Sequence, residues 1–298
     1  MALSLKYYIL NPLHGVLHRF SRQWIALRYL KAYHRPMETR NPRLYHDKVF
    51  WLMNNTPQER QARLADKYAV RQYVAARAGE SLLAKLYGVY ESADEIDFDA
   101  LPRSFVLKTN NGCTTNIIVR DKAQLDRRHA VKKLSRWMDI HFGDLTGERH
   151  YSLIKPLIIA EELLVQDGDP DKPLIDYKLE CFDGKPAFCT VFSDRVEGTH
   201  TKKCIIYDMD WKPVPDSCAY SLSHIIPGPV TPPPPCWDEM KRIAARLAEG
   251  FEYVRVDFYV IDGRPMFGEM SFTPGMDTDY TLGFQRRLGD MIRLPQRS

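Results

Sequence analysis

The chain has 298 residues, 44% hydrophobic and 27% charged, with a net charge of +4. That length can bury one large core or two medium lobes, and the composition is that of a globular protein, not a disordered or fibrous one. No run approaches the roughly 18 apolar residues of a membrane-spanning helix, and the six cysteines (113, 181, 189, 204, 218 and 236) show no C-x-x-C spacing, so reduced thiols of a cytoplasmic protein are expected instead of a disulfide framework or zinc site.

The charge is uneven. The first 37 residues hold Lys6, Arg19, Arg22, Arg28, Lys31 and Arg35 and no acid, whereas the remainder carries 36 basic against 38 acidic residues. The opening MALSLKYYILNPLHG has a short apolar patch without a clean cleavage site, which argues against a signal peptide. Leu13, Leu17, Phe20, Trp24 and Leu27 recur at helical spacing and predict one apolar stripe, with Arg19, Arg22 and Arg28 off it. Such a helix suits packing on the body of the protein, or peripheral contact of residues 1–37 with an anionic membrane surface. No nucleic-acid partner is expected.

Residues 43–78 read as two helices split at Thr56-Pro57, with Thr56 as cap and Pro57 in the first turn. Ser104 to Lys108 predicts a strand, and Asn116 to Val119 its hairpin partner, around the loop TNNGCTT. Residues 122–142 read as helix and Leu157 to Glu161 as strand. Leu174 to Glu180 and Ala187 to Phe192 form a strand pair about Asp183-Gly184. IIPGPVTPPPP (225–235) is an extended connector, and Trp237 to Glu249 a helix ended by Gly250. VRVDFYVI and PMFGEMS then make a hairpin through Asp262-Gly263. This order predicts an α+β chain of two lobes.

The last hairpin carries the strongest chemical signal. Strand alternation puts Arg255, Asp257 and Tyr259 on one face, and Glu269 stands on the paired strand. Two neighbouring carboxylates repel unless a proton or cation lies between them. Magnesium with phosphate oxygens is the natural third party, because it takes one or two carboxylates plus phosphates. Lys108, at a strand end before a loop containing Gly112 and Cys113, can help cradle a polyphosphate. Asp176 and Lys178 share a strand face, where an acid could accept ribose hydroxyls and a lysine reach a terminal phosphate; Glu161-Glu162 end another strand, and Lys67 follows Asp66 near a helix start.

In this order, ADKYAVRQYV (65–74), LPRSFVLKTNNG (101–112), IIAEELL (158–164), DYKLECFDGK (176–185), SDR (193–195), RVDFY (255–259) and FGEMSFTPG (267–275) resemble the TupA-like group of the ATP-grasp superfamily, linked to teichuronopeptide and other surface-polysaccharide biosynthesis. The resemblance implies an ATP-grasp fold: two α+β lobes with the nucleotide between them, preceded by a helical N-terminal segment. It implies a basic segment over 1–60, a first lobe with the glycine loop over 61–160, and a second with the metal-binding hairpin over 161–298.

It also implies ATP and Mg2+ as cofactors. Lys67 and Lys108 would meet ATP phosphates, with Gly112 and Cys113 in the loop over them. Glu161 and Glu162 would lie at the adenine hinge, Asp176 and Lys178 would serve ribose and γ-phosphate, and Asp257, Glu269 and Ser271 would be the metal ligands. Ser271 puts a hydroxyl where many relatives carry an asparagine carbonyl. Arg195 and Arg255 are candidates for the phosphates or an acyl-phosphate intermediate, with Lys178 beside them in catalysis. The activity implied is carboxylate–amine ligation, joining an amino acid or amine to a sugar uronate. A kinase acting on a sugar hydroxyl would share every motif, and a non-catalytic glycan-binding protein is the reading that intact Lys108, Asp257 and Glu269 argue against.

Overall fold

A computed structural model describes residues 4–194, 201–221, 224–274 and 279–295. Along the chain lie helices α1 (Leu5–Leu10), α2 (His14–Arg19), α3 (Ser21–Tyr33), α4 (Tyr45–Asn55), α5 (Glu59–Ala65) and α6 (Val70–Ala78). Strands β1 (Leu86–Tyr90), β2 (Phe105–Thr109) and β3 (Asn116–Val119) precede helices α7 (Arg127–Met138) and α8 (Phe142–Thr146). Then come strands β4 (Ile158–Glu161), β5 (Asp176–Phe182), β6 (Lys185–Ser193), β7 (Lys202–Asp208) and β8 (Ile225–Pro227), helix α9 (Trp237–Ala248), strands β9 (Tyr253–Ile261) and β10 (Arg264–Ser271), and helix α10 (Leu282–Met291). They form two compact units, one of Met1–Ile25, Gln58–Tyr73 and Leu83–Leu164, the other of Ala26–Pro57, Val74–Leu82 and Val165–Ser298.

The first unit is built on an antiparallel sheet of order β1-β4-β2-β3. Phe105 and Leu107 alternate into its core with the more open Val106 and Lys108, the period-two signature of a half-buried strand. Ala130, Leu134 and Trp137, at i, i+4 and i+7 of α7, cover this core together with Ile158 and Ala160. Asp126 caps α7 by accepting from the His129 N–H at 2.9 Å, so the helix expected from residue 122 starts later, at Arg127. The N-terminal stripe is likewise divided. A 3-10 turn over Asn11–Leu13 and a break at Phe20 separate α1, α2 and α3. Leu17 packs on the core of this unit and Trp24 Nε1 donates to the Leu145 carbonyl at 2.8 Å, while Leu13, Phe20 and Leu27 are exposed.

The second unit carries a sheet of order β10-β9-β5-β6-β7-β8, antiparallel except for the β7/β8 pair. The two Asp-Gly turns form as expected. Asp183 and Gly184 have φ of 48° and 74°, and Asp262 and Gly263 have 51° and 74°, the left-handed pair that matches strand twist. α9 buries Trp237, Met240, Ile243, Ala244 and Leu247. Thr56 differs from expectation: its hydroxyl donates to the Leu52 carbonyl at 2.7 Å and closes α4, while Gln58 precedes α5. Residues 43–78 hold three helices, because Asp66 Oδ1 accepts from the Tyr68 and Ala69 N–H groups and starts the chain anew before α6. The sequence reading missed β1 and β7, and the start of the expected connector over 225–235 is strand β8, which pairs with β7. All six cysteines carry thiols, with no disulfide among the described residues.

α10 packs so closely that a Cβ on Gly289 would stand 2.1 Å from the Arg43 carbonyl oxygen, whereas one on Gly283 would meet nothing within 4 Å. Gly289→Ala is therefore expected to destabilise the protein by roughly 1–3 kcal/mol through overpacking. Gly283→Ala should be neutral or slightly stabilising, as Ala is favoured over Gly within helices. Urea unfolding of the two variants checks the contrast.

Candidate functional site

The first unit gathers one group of the expected residues. Lys108 lies on β2 opposite Asn116 and Ile159, and its ammonium pairs with the Glu161 carboxylate. Arg71 Nη1 approaches the same carboxylate at 3.9 Å. The loop after β2 is pinned from both sides: Asn110 donates its N–H to the Leu157 carbonyl at 3.0 Å and accepts from the Leu157 N–H through Oδ1 at 2.7 Å. Thr109 and Thr115 close its neck, hydroxyl to hydroxyl at 2.7 Å. Lys67 is tied to this loop twice, its N–H to the Asn110 carbonyl at 3.2 Å and its ammonium to the Gly112 carbonyl. Gly112 is tightly placed, since a Cβ there would come 3.3 Å from the Phe142 ring, and Cys113 beside it is exposed. Glu162 is exposed; its N–H donates to the Lys85 carbonyl at 2.8 Å, and its carboxylate accepts from the Lys85 N–H at 3.2 Å.

The second unit brings together the others, in two rows across three strands. Lys178, Asp257 and Glu269 stand opposite one another on β5, β9 and β10; Glu180, Arg255 and Ser271 form the adjacent row. A bulge creates this alignment. Phe267 faces Phe258, then Gly268 is skipped and Glu269 faces Asp257. Without the extra residue Gly268 would oppose Asp257, and Glu269 would turn to the other face. Glycine suits the bulge, because a Cβ at 268 would lie 3.1 Å from the Asp257 carbonyl oxygen.

Asp257 on this polar face is only 2% exposed. Arg255 grips it with Nε on Oδ1 at 2.7 Å and Nη2 on Oδ2 at 2.8 Å, and the Lys178 ammonium pairs with Oδ2. Burial alone would raise the Asp257 pKa; the Arg255 and Lys178 charges outweigh it and hold the carboxyl below its usual value. Arg255 Nη2 also reaches Glu269 Oε1 at 3.2 Å and Ser271 Oγ at 3.0 Å, so one cationic group touches all three proposed metal ligands. Asp176 lies 3.7 Å from Lys178 Nζ. A cation site made of Asp257, Glu269 and Ser271 offers oxygen donors alone, the chemistry magnesium takes, and the guanidinium already seated among them shows that this niche attracts positive charge. Arg195 falls outside the described residues.

Sequence reasoning assigned no role to Glu180 or Arg71. Glu180, 1% exposed, accepts from Tyr253 at 2.6 Å, Tyr280 at 3.0 Å and Tyr45 at 3.4 Å. Burial raises its pKa, and the nearby Arg255 charge counters only part of that rise. The signal was available: in Asp-Tyr-Lys-Leu-Glu every second residue is charged, which puts Glu180 on the face of Asp176 and Lys178.

Asp257→Asn would leave Arg255 and Lys178 buried without their shared partner, an expected loss of about 3–5 kcal/mol. The more exposed Glu269 should tolerate Gln at below about 1 kcal/mol. A carboxyl with a depressed folded pKa stabilises the protein above its unfolded value, near 4, and this is lost as pH falls through the folded value. Wild type should therefore lose stability more steeply than Asp257→Asn below about pH 4, as read by denaturant titrations at stepped pH.

A search among curated proteins gave no match. Among solved structures, D-alanine–D-alanine ligase from Bacillus anthracis complexed with ATP is similar at 17% identity and TM-score 0.43, over 77% of this chain and 63% of that one. D-alanine–D-alanine ligase from Helicobacter pylori is similar at 13% and 0.45, over 86% and 68%. The ATP-grasp ligase PsnB complexed with minimal precursor is similar at 12% and 0.43, over 80% and 61%. The chain thus spans 63% of the Bacillus anthracis ligase it matches. The family model described as TupA-like ATPgrasp matches residues 47–293, most of the chain and all of the ordered motifs. The chain belongs to the TupA-like ATP-grasp family and has its α+β fold.

Proposed function

We propose that the chain is an ATP-dependent carboxylate–amine ligase of surface-polysaccharide biosynthesis, joining an amino acid or amine to a sugar uronate in the cytoplasm. The observation that carries this reading is the double row Lys178–Asp257–Glu269 and Glu180–Arg255–Ser271. Its carboxyl groups and paired cations suit a triphosphate with its metal. Family membership supports the same reaction class.

Asp257, Glu269 and Ser271 would hold Mg2+, whose chemistry is to neutralise phosphate charge. Lys178 and Arg255 would face the phosphoryl group in transfer, and Asp176 the ribose. From the first unit, Lys67 and Lys108 would meet phosphates and the Gly112–Cys113 loop would cover them, with Glu161 and Glu162 near adenine. A uronate oxygen attacks the γ-phosphorus as the bond to ADP breaks, giving an acyl phosphate. The amine nitrogen then attacks the acyl carbon, phosphate leaves, and the amine sheds a proton to leave an amide. The cationic groups stabilise charge on the transferred phosphoryl, the main demand of such chemistry.

Phosphate release against a panel of uronates and amino acids tests the reaction. Free phosphate and an amide, formed only when both substrates are present, is the expected result. A phosphate ester formed from the sugar alone would make the protein a kinase instead, and ATP turnover absent across the panel would reject the substrate class. Lys108→Ala should slow turnover by roughly 100-fold, as expected for one lost stabilising donor. A matching loss of melting temperature would mark Lys108 as structural.

A further inference from the structure

The N-terminal helices of the first unit are apolar on two opposite sides. On the inner side Tyr7, Tyr8, Leu10 and Leu17 pack on that unit's core, and Tyr7 stacks on Phe142 with ring centroids 5.7 Å apart. Polar anchors fix the same side. Asn11 Nδ2 donates to the Asp139 carbonyl at 2.8 Å, and its Oδ1 accepts from the His141 N–H at 3.0 Å. His18 Nδ1 lies 2.8 Å and His14 Nδ1 3.4 Å from the Asp144 carboxylate, which also accepts from Ser152 at 2.7 Å. His14, His141 and Asp144 lie close enough to suggest a shared metal ion, but the two rings are stacked 3.6 Å apart at 4°, and parallel rings cannot both aim a nitrogen at one ion. The cluster therefore reads as an anchor that sets which side of α1 and α2 faces out.

What faces out is Leu5, Ile9, Leu13, Val16 and Phe20, each between 49% and 70% exposed, at spacings of four, four, three and four residues. A soluble surface helix normally puts polar residues there. The cations Lys6, Arg19 and Arg22 are exposed around this face, and no acid occurs before Glu38. Among the described residues no helix is long and apolar enough to cross a membrane.

We propose that this face docks on an anionic lipid surface, the five apolar side chains entering the headgroup boundary while Lys6, Arg19 and Arg22 meet lipid charge. An apolar face edged with cations and lacking acids is complementary to that surface, and much less so to a neutral or basic one. The docking needs no nucleotide and stands apart from the ligase reading. It would place the chain beside acceptors carried on lipid.

The test is co-sedimentation of the full chain, without ATP, with vesicles of phosphatidylcholine alone or with phosphatidylglycerol added. Binding to the anionic vesicles, weakened by salt and at least tenfold weaker in Leu13→Ser/Phe20→Ser and in Arg19→Glu/Arg22→Glu, is expected. Unchanged circular dichroism in these exposed-residue variants keeps the comparison valid, and turnover of soluble substrates should be unaltered. Wild-type chain that stays in the supernatant, equal binding to neutral vesicles, or binding untouched by either double variant overturns the proposal. So does a vesicle-independent dimer that the Leu13→Ser/Phe20→Ser variant dissociates, which would assign the face to a second copy of the chain.

Discussion

A single buried carboxylate, Asp257, organises the second unit. It sits in the middle strand of its polar row, nearly excluded from water, and an ionised acid there survives only with cations in hydrogen-bonding contact. Arg255 supplies two bonds and Lys178 a third. Each cation then reaches a further acid: Arg255 touches Glu269 and Lys178 approaches Asp176. Remove Asp257 and both Arg255 and Lys178 lose the carboxylate they share. This mutual constraint holds the side chains against one another, the kind of preorganisation that electrostatic catalysis requires.

The same principle recurs in the first unit on a smaller scale. Lys108 is held against Glu161, and Lys67 against the carbonyl of Gly112. Both lysines are partly buried and positioned by partners, not left to sample solvent. Their partners differ in kind. Glu161 is a full charge that an incoming anion would have to displace or share, whereas a backbone carbonyl is a weaker hold.

Most strands and the final hairpin were legible because alternation and Asp-Gly turns leave short-range signatures: Phe105 and Leu107 against Lys108, and left-handed φ at both Asp-Gly pairs. Ordered motifs across residues 65–275 revealed the family, and the match over 47–293 bears that out. Other features depend on contacts that no local pattern states. Plain pairing of β10 with β9 would have placed Gly268, not Glu269, opposite Asp257; only the bulge restores the carboxylate pair. The burial of Asp257 needed the neighbouring strand β5, some 80 residues away in sequence, as its Lys178 partner shows. The N-terminal stripe misled for a related reason: apolar spacing marks faces but does not say which face finds a partner, and here Leu17 packs inward while Leu13 and Phe20 remain outside.

The central claim is that the double row is a ready-made subsite for a metal-bound triphosphate. Calorimetric titration of the wild-type chain with ATP, once with magnesium and once with chelator, tests it most directly. Three acids, Asp176, Asp257 and Glu269, stand beside the two cations Lys178 and Arg255, so uncomplexed ATP should be resisted and the magnesium complex accepted. The account predicts clear binding that depends on magnesium. Equal affinity for ATP with and without the metal would contradict it.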